Sequence, residues 1–177
     1  TKLGYIFSNT QREVDLLLIH PMQDCYLTYD RKLDKKSVLE TEEKFYNLSK
    51  ELAEQGIAFH YADESILKES GRVEDASVVM GEKKYDYVIV PYCKSINAST
   101  QRVLESFAEA GGRLCVLGEY PAFTAGERFS KPIQSTISYE DILLANAPLV
   151  KTSEKVFERH CIGELGEFLF LLNTDDK

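Results

Sequence analysis

Three segments of this chain, VDLLLIHPM (14–22), YDYVIVPY (85–92) and GGRLCVLGEYP (111–121), carry apolar runs that stop abruptly at small, polar or proline residues. A strand with one face in water alternates apolar and polar residues, whereas runs this continuous need cover on both faces. Several such strands separated by helical stretches constrain the chain to an α/β fold. Open α/β sheets bind ligands where their strands end. Function is therefore to be sought just after the runs, at His20, Tyr92 and Glu119.

The rest of the chain fits this frame. Residues 3–7 form a short helix or approach segment, and a long loop over 20–34 carries Tyr26 and Tyr29. A helix spans 37–55, with Ser37 and Glu40 at capping-box spacing, one stripe of Val38, Phe45, Leu48 and Leu52, and Gly56 as its stop. A second strand covers 57–61, and a short helix capped by Asp63 covers 63–70. Two small strands, 72–74 and 77–80, turn about Glu74, Asp75 and Ala76. The third strand, 85–90, stops at Pro91; a helix over 98–110, capped by Asn97, buries Val103, Leu104, Phe107 and Ala108 and ends at Gly111 and Gly112. The fourth strand is 113–117. This order implies right-handed crossovers and a parallel sheet. After a loop over 119–131, Ser138 caps a helix running to Ala147 with Ile142 and Leu143 inward. Strands over 155–162 and 167–173 flank Gly163 and Gly166 as a hairpin. The expected fold is a three-layer α/β sandwich with a flavodoxin-like, mainly parallel sheet and a C-terminal β-hairpin. Its main domain covers 1–150, and 151–177 completes it or leads to a following β-rich domain.

Composition narrows the partners. The net charge of −8 and pI near 5.0, with Lys and Arg scattered among acids, argue against nucleic acid and anionic membranes. No apolar run approaches the roughly 20 residues a membrane span needs. The chain opens on Thr1 without a signal-peptide pattern and is read as a processed piece of something longer. Cys25, Cys93, Cys115 and Cys161 are widely spaced, so reduced thiols in a cytoplasmic setting are expected.

Reactive constellations are sparse. There is no GxGxxG and no GxxxxGK[ST], and His20-Pro21-Met22 follows strand one where a phosphate loop would need small residues. His20, His60 and His160 lack metal-ligand spacing, and His160 and Cys161 point to opposite faces of a strand. No metal and no cofactor is expected. A Cys–His nucleophile would use Cys93 with His20 or His60, and with Glu119 converging above the sheet. However, Lys94-Ser95-Ile96 separates Cys93 from the next helix, which is loose for an activated thiol. Glu119, Asp24 and Asp30 offer loop carboxylates without marking a pair, and Tyr26, Tyr29, Tyr92 and Tyr120 offer rings for a sugar or a neighbouring domain.

Taken in order, VDLLLIHPM with its Tyr-containing loop, GIAFHYADESIL (56–67), GRVEDASVVMGEKKYDYVIVPYCKSI, ESFAEAGGRLCVLGEYP and the terminal VFERHCIGELGEFLFLLNTDD resemble one family. It is the class I glutamine amidotransferase-like domain of large glycoside hydrolases, of the α-L-rhamnosidase type and, more distantly, the trimerisation domain of family 42 β-galactosidases. The resemblance covers nearly the whole chain. It implies a domain that kept the fold and lost the chemistry, because Gly118, Glu119 and Tyr120 stand where amidotransferase-like enzymes place a nucleophilic Cys on a sharp elbow. Such a domain is a scaffold beside a catalytic domain of the same protein that lies outside this chain. Substrate-rim or domain contacts fall to His20, Asp24, Tyr26, Tyr29, Tyr92, Glu119 and Tyr120, with Cys93 as nucleophile in the alternative of a free-standing Cys hydrolase or amidotransferase. A homo-oligomer and carbohydrate at the rim are the further partners the resemblance leaves open.

Overall fold

A computed structural model describes residues 2–29, 36–124, 127–128, 132–149 and 156–173. In chain order the first elements are α1 (Lys2–Ser8), β1 (Gln11–Arg12), β2 (Leu16–His20), α2 (Met22–Thr28), α3 (Lys36–Glu54), β3 (Phe59–Asp63) and α4 (Glu64–Ser70). Next come β4 (Gly71–Glu74), β5 (Ser77–Met80), β6 (Lys83–Tyr85), β7 (Tyr87–Val90), β8 (Ser95–Ile96), α5 (Ala98–Glu109) and β9 (Arg113–Val116). The last are β10 (Phe123–Thr124), β11 (Glu127–Arg128), α6 (Tyr139–Ala145), β12 (Val156–Gly163) and β13 (Gly166–Asn173).

The apolar runs form the centre, as an α/β fold requires. β3, β2, β7 and β9 lie side by side in that order, all parallel, with Leu16 opposite both Phe59 and Tyr87, and Tyr87 opposite Arg113. Leu17, Ile19, Val88, Val90 and Leu114 face one core with Leu67 of α4 and Leu104 and Phe107 of α5. Leu16, Leu18, Ile89 and Cys115 face a second core with Leu48 and Leu52 of α3 and Ile142 of α6. Leu16 to Ile19 are all buried, so the run has no polar positions because neither face meets water. Each fully buried Leu or Ile contributes roughly 1.5–3 kcal/mol of transfer free energy.

Several expectations shift, among them the loop over 119–131, which contains β10 and β11. The stretch 20–34 is not one long loop: residues 22–28 make α2. The second strand starts two residues later than expected, because Gly56 at φ +73° and the bond from Ile57 N to Leu52 O (2.9 Å) belong to the C-terminal cap of α3. The third strand is split at Asp86. β6 joins an antiparallel sheet with β4 and β5, while β7 enters the parallel sheet. Asp86 accepts from Ser77 Oγ at 2.6 Å, and Tyr85 turns its hydroxyl to His60 Nδ1 at 2.9 Å. α3 already includes Ser37, whose side chain, like Asp30, lies outside the described residues.

β12 and β13 pair antiparallel from Val156–Asn173 to Gly163–Gly166, and β1 adds a third strand through Gln11–Ile162 and Arg12–Cys161. The stretch around residue 150, where the expected domain boundary falls, lies outside the described residues. Among the described residues no helix is long and apolar enough to cross a membrane.

Candidate functional site

The carboxyl edge of the parallel sheet is organised by two buried carboxylates. Glu64, the first residue of α4, accepts from Gln23 N on α2 at 3.1 Å through one oxygen. Its other oxygen accepts from Asn97 N (2.6 Å) and Thr100 Oγ1 (2.8 Å). These last two are the N-cap and third residue of α5, where unsatisfied amides and the helix dipole favour an anion. Asn97 is the N-cap of α5, but its side chain makes no capping bond; its backbone amide is instead held by Glu64 of another helix. Asp24 on α2 accepts from Thr41 Oγ1 of α3 at 2.8 Å and from Lys94 N, after β7, at 3.0 Å. Asp24 and Glu64 thus join α2, α3, α4, α5 and the segment after β7. Each is 1 % exposed, and burying an ionised carboxylate is tolerable only when charge-assisted bonds surround it.

Above this frame lies a cleft of about 220 Å³ lined by Glu40, Thr41, Lys44, Tyr92, Cys93, Lys94, Glu119, Tyr120 and Ala122. Lys44 Nζ stands 5.6 Å from the centre of the Tyr92 ring, a cation–π distance. The chain bends sharply after β9, with Gly118 at φ +77°. A Cβ on Gly118 would stand 2.7 Å from Tyr92 Cδ1, so the Tyr92 ring occupies the space a side chain at the bend would need.

The expected site residues divide into four groups. Tyr92, Cys93, Glu119 and Tyr120 meet in the cleft. His20 is turned elsewhere, stacked on Phe45 with ring centres 4.8 Å apart and beside Tyr61 at 6.3 Å. Asp24 is no rim residue: it is a buried tie between helices. Tyr26 and Tyr29 sit on and just after α2, at 69 % and 53 % exposure, outside the cleft lining. Glu40, Thr41, Lys44, Lys94 and Ala122 were missed. The first three are on the opening turns of α3, and only the packing of that helix over the sheet edge reveals them.

The thiol in the cleft is shifted away from reactivity. Burial raises the Cys93 pKa, and the neighbouring charges of Asp24 and Glu64 raise it further. Burial likewise raises Cys25, and it pushes Cys115 up to about 11. The Tyr120 hydroxyl is raised by burial and by Glu105. An activated nucleophile needs the opposite setting, a cation or a helix N-terminus beside the sulfur. The arrangement can hold a ligand by ring stacking, ammonium groups and carboxylates, and it offers no poised thiolate. Among the described residues no group of three or more His, Cys, Asp or Glu is placed to hold a metal ion. Compared with known proteins, the chain matches no protein-family model and no curated protein.

Proposed function

We propose that the chain is a non-catalytic accessory domain of a multidomain glycoside hydrolase, a three-layer sandwich of flavodoxin-like type whose catalytic partner lies outside it. The observation that carries this reading is the bend after β9. Gly118 takes the left-handed conformation an elbow residue needs, yet brings no side chain, and the Tyr92 ring fills the vacated space. The strand order β3-β2-β7-β9, which is second, first, third, fourth among the parallel strands, agrees with the first four places of the flavodoxin-like order and supports this reading. In this reading the cleft is a contact surface, and Tyr92, Tyr120, Lys44 and Glu119 meet sugar hydroxyls or the edge of a neighbouring domain.

Alkylation tests the silence of the cleft. Cys93 is expected to react with iodoacetamide near neutral pH far more slowly than an unhindered thiol, since its thiolate is disfavoured by burial. Fast alkylation of Cys93, or turnover of an amide or glycoside by the chain itself, would sink the proposal. In the larger hydrolase, Tyr92→Ala with Glu119→Gln should weaken substrate binding or domain docking. Unchanged kinetics together with unchanged thermal stability would remove the cleft from that role.

A further inference from the structure

The sheet β1-β12-β13 ends on β13, and no strand among the described residues pairs with its outer edge. β13 is eight residues long, GEFLFLLN, with one charge, Glu167, and no proline. Leu169, Leu171 and Leu172 are 41 %, 52 % and 63 % exposed. Natural edge strands are usually short, bulged or charged to prevent pairing, whereas this one is long, keeps an unbroken register with β12 and carries a single carboxylate. On one side of the sheet Phe168 and Phe170 stack at 6.3 Å, and Phe170 packs on Phe7 of α1 at 4.6 Å. That face is already covered in part by the chain's own helix, while the edge meets no strand among the described residues.

We infer that β13 pairs antiparallel with β13 of a second copy of this chain, about a two-fold axis at Phe170, to form a six-stranded sheet. The sequence of the strand selects both the partner and the register. With Phe170 opposite its own copy, Phe168 faces Leu172, Leu169 faces Leu171 and Glu167 faces Asn173. Each of these pairs lies on one face of the sheet, because positions of equal parity share a face. Apolar residues meet apolar ones throughout, and the single carboxylate meets a neutral amide. A register centred on Glu167 would set two carboxylates face to face, which is unfavourable. A two-fold contact of this kind is self-complementary and closed, so it stops at the dimer. Glu167 keeps its 2.7 Å contact with His160 Nε2 within its own copy. This inference is independent of the proposed function.

Sedimentation or light scattering across a dilution series tests it. The chain should be dimeric above the micromolar range. Leu169→Lys, at an exposed position, should weaken association on the order of tenfold or more, since the new charge meets Leu171 of the other copy at two symmetric places. Leu171→Glu should do the same. Combining Leu169→Lys with Leu171→Glu brings opposite charges together in this register and should restore the dimer, whereas Leu169→Lys with Leu171→Lys should not. Far-ultraviolet circular dichroism checks that each variant is folded. A wild-type chain that stays monomeric, a dimer indifferent to Leu169→Lys, or open-ended association would overturn the inference, as would failure of the opposite-charge pair to restore what its single changes lose.

Discussion

At the residue scale the carboxyl edge depends on Asp24, Glu64 and Tyr92 and on the side chain that Gly118 lacks. Gly118→Ala forces a Cβ into the left-handed region and against the Tyr92 ring, so a loss of about 1–3 kcal/mol is expected in denaturant unfolding. Tyr92→Ala in the same background should recover only the steric share. Glu64→Gln keeps the shape but turns an NH2 toward one of three donors, at a cost of about 1.5–3 kcal/mol. His60 is half-buried, and burial, then Arg12 and Lys83, lower its pKa below the ordinary 6.5. The unfolded chain therefore takes up this proton more readily than the folded one, and stability is lost as pH falls through 6.5 toward the folded value. Thermal midpoints measured from pH 7.5 downward (~1 unit either side of the ordinary histidine value) should show this decline, and His60→Gln should flatten it. Asp63 as the cap of α4 was legible in the sequence, because its partners Ser65 N (2.8 Å) and Ile66 N (3.4 Å) are its chain neighbours. The part played by Glu64 was not, because its partners lie as far as 41 positions away.

At the element scale, local signals held where an element is set by its own residues. The β4–β5 turn was placed correctly, and it runs through Asp75 at φ 49° and Ala76 at φ 62°. Left-handed Ala costs about 1–2 kcal/mol, and Asp-Gly is the preferred pair for such a hairpin turn. Ala76→Gly should accordingly raise the unfolding midpoint, with a gain of up to about 1 kcal/mol once the extra freedom of glycine in the unfolded chain is counted. α2 was read as loop for a physical reason. A seven-residue helix is marginal by itself, and this one is held by the bonds of Asp24 to α3 and to the segment after β7.

At the scale of the whole molecule, stability is concentrated in the parallel sheet. β2 and β7 are buried on both faces, while β12 is mostly half-buried and the side chains of β13 are largely exposed. Native-state hydrogen exchange should therefore give the slowest amides in β2 and β7 and much faster ones in β13, with dimerisation slowing β13 as concentration rises. Equal protection across both sheets would contradict this distribution. Leu17→Ala, which empties a place in the larger core, should cost about 2–5 kcal/mol.

The amino-acid sequence alone determined the central strands, the main helices packed on them and that the central strands are covered on both faces. Those properties follow from periodicities of a few residues and from local caps and turns. The tertiary structure decided what surrounds the ends of the strands. It turned His20 onto Phe45, buried Asp24, brought Lys44 over Tyr92, split the third strand between two sheets, and joined β1 to β12 across the length of the chain. Each of these rests on contacts between residues distant in sequence, such as the 70 positions separating Asp24 from Lys94, and no local pattern encodes which of many possible partners will meet.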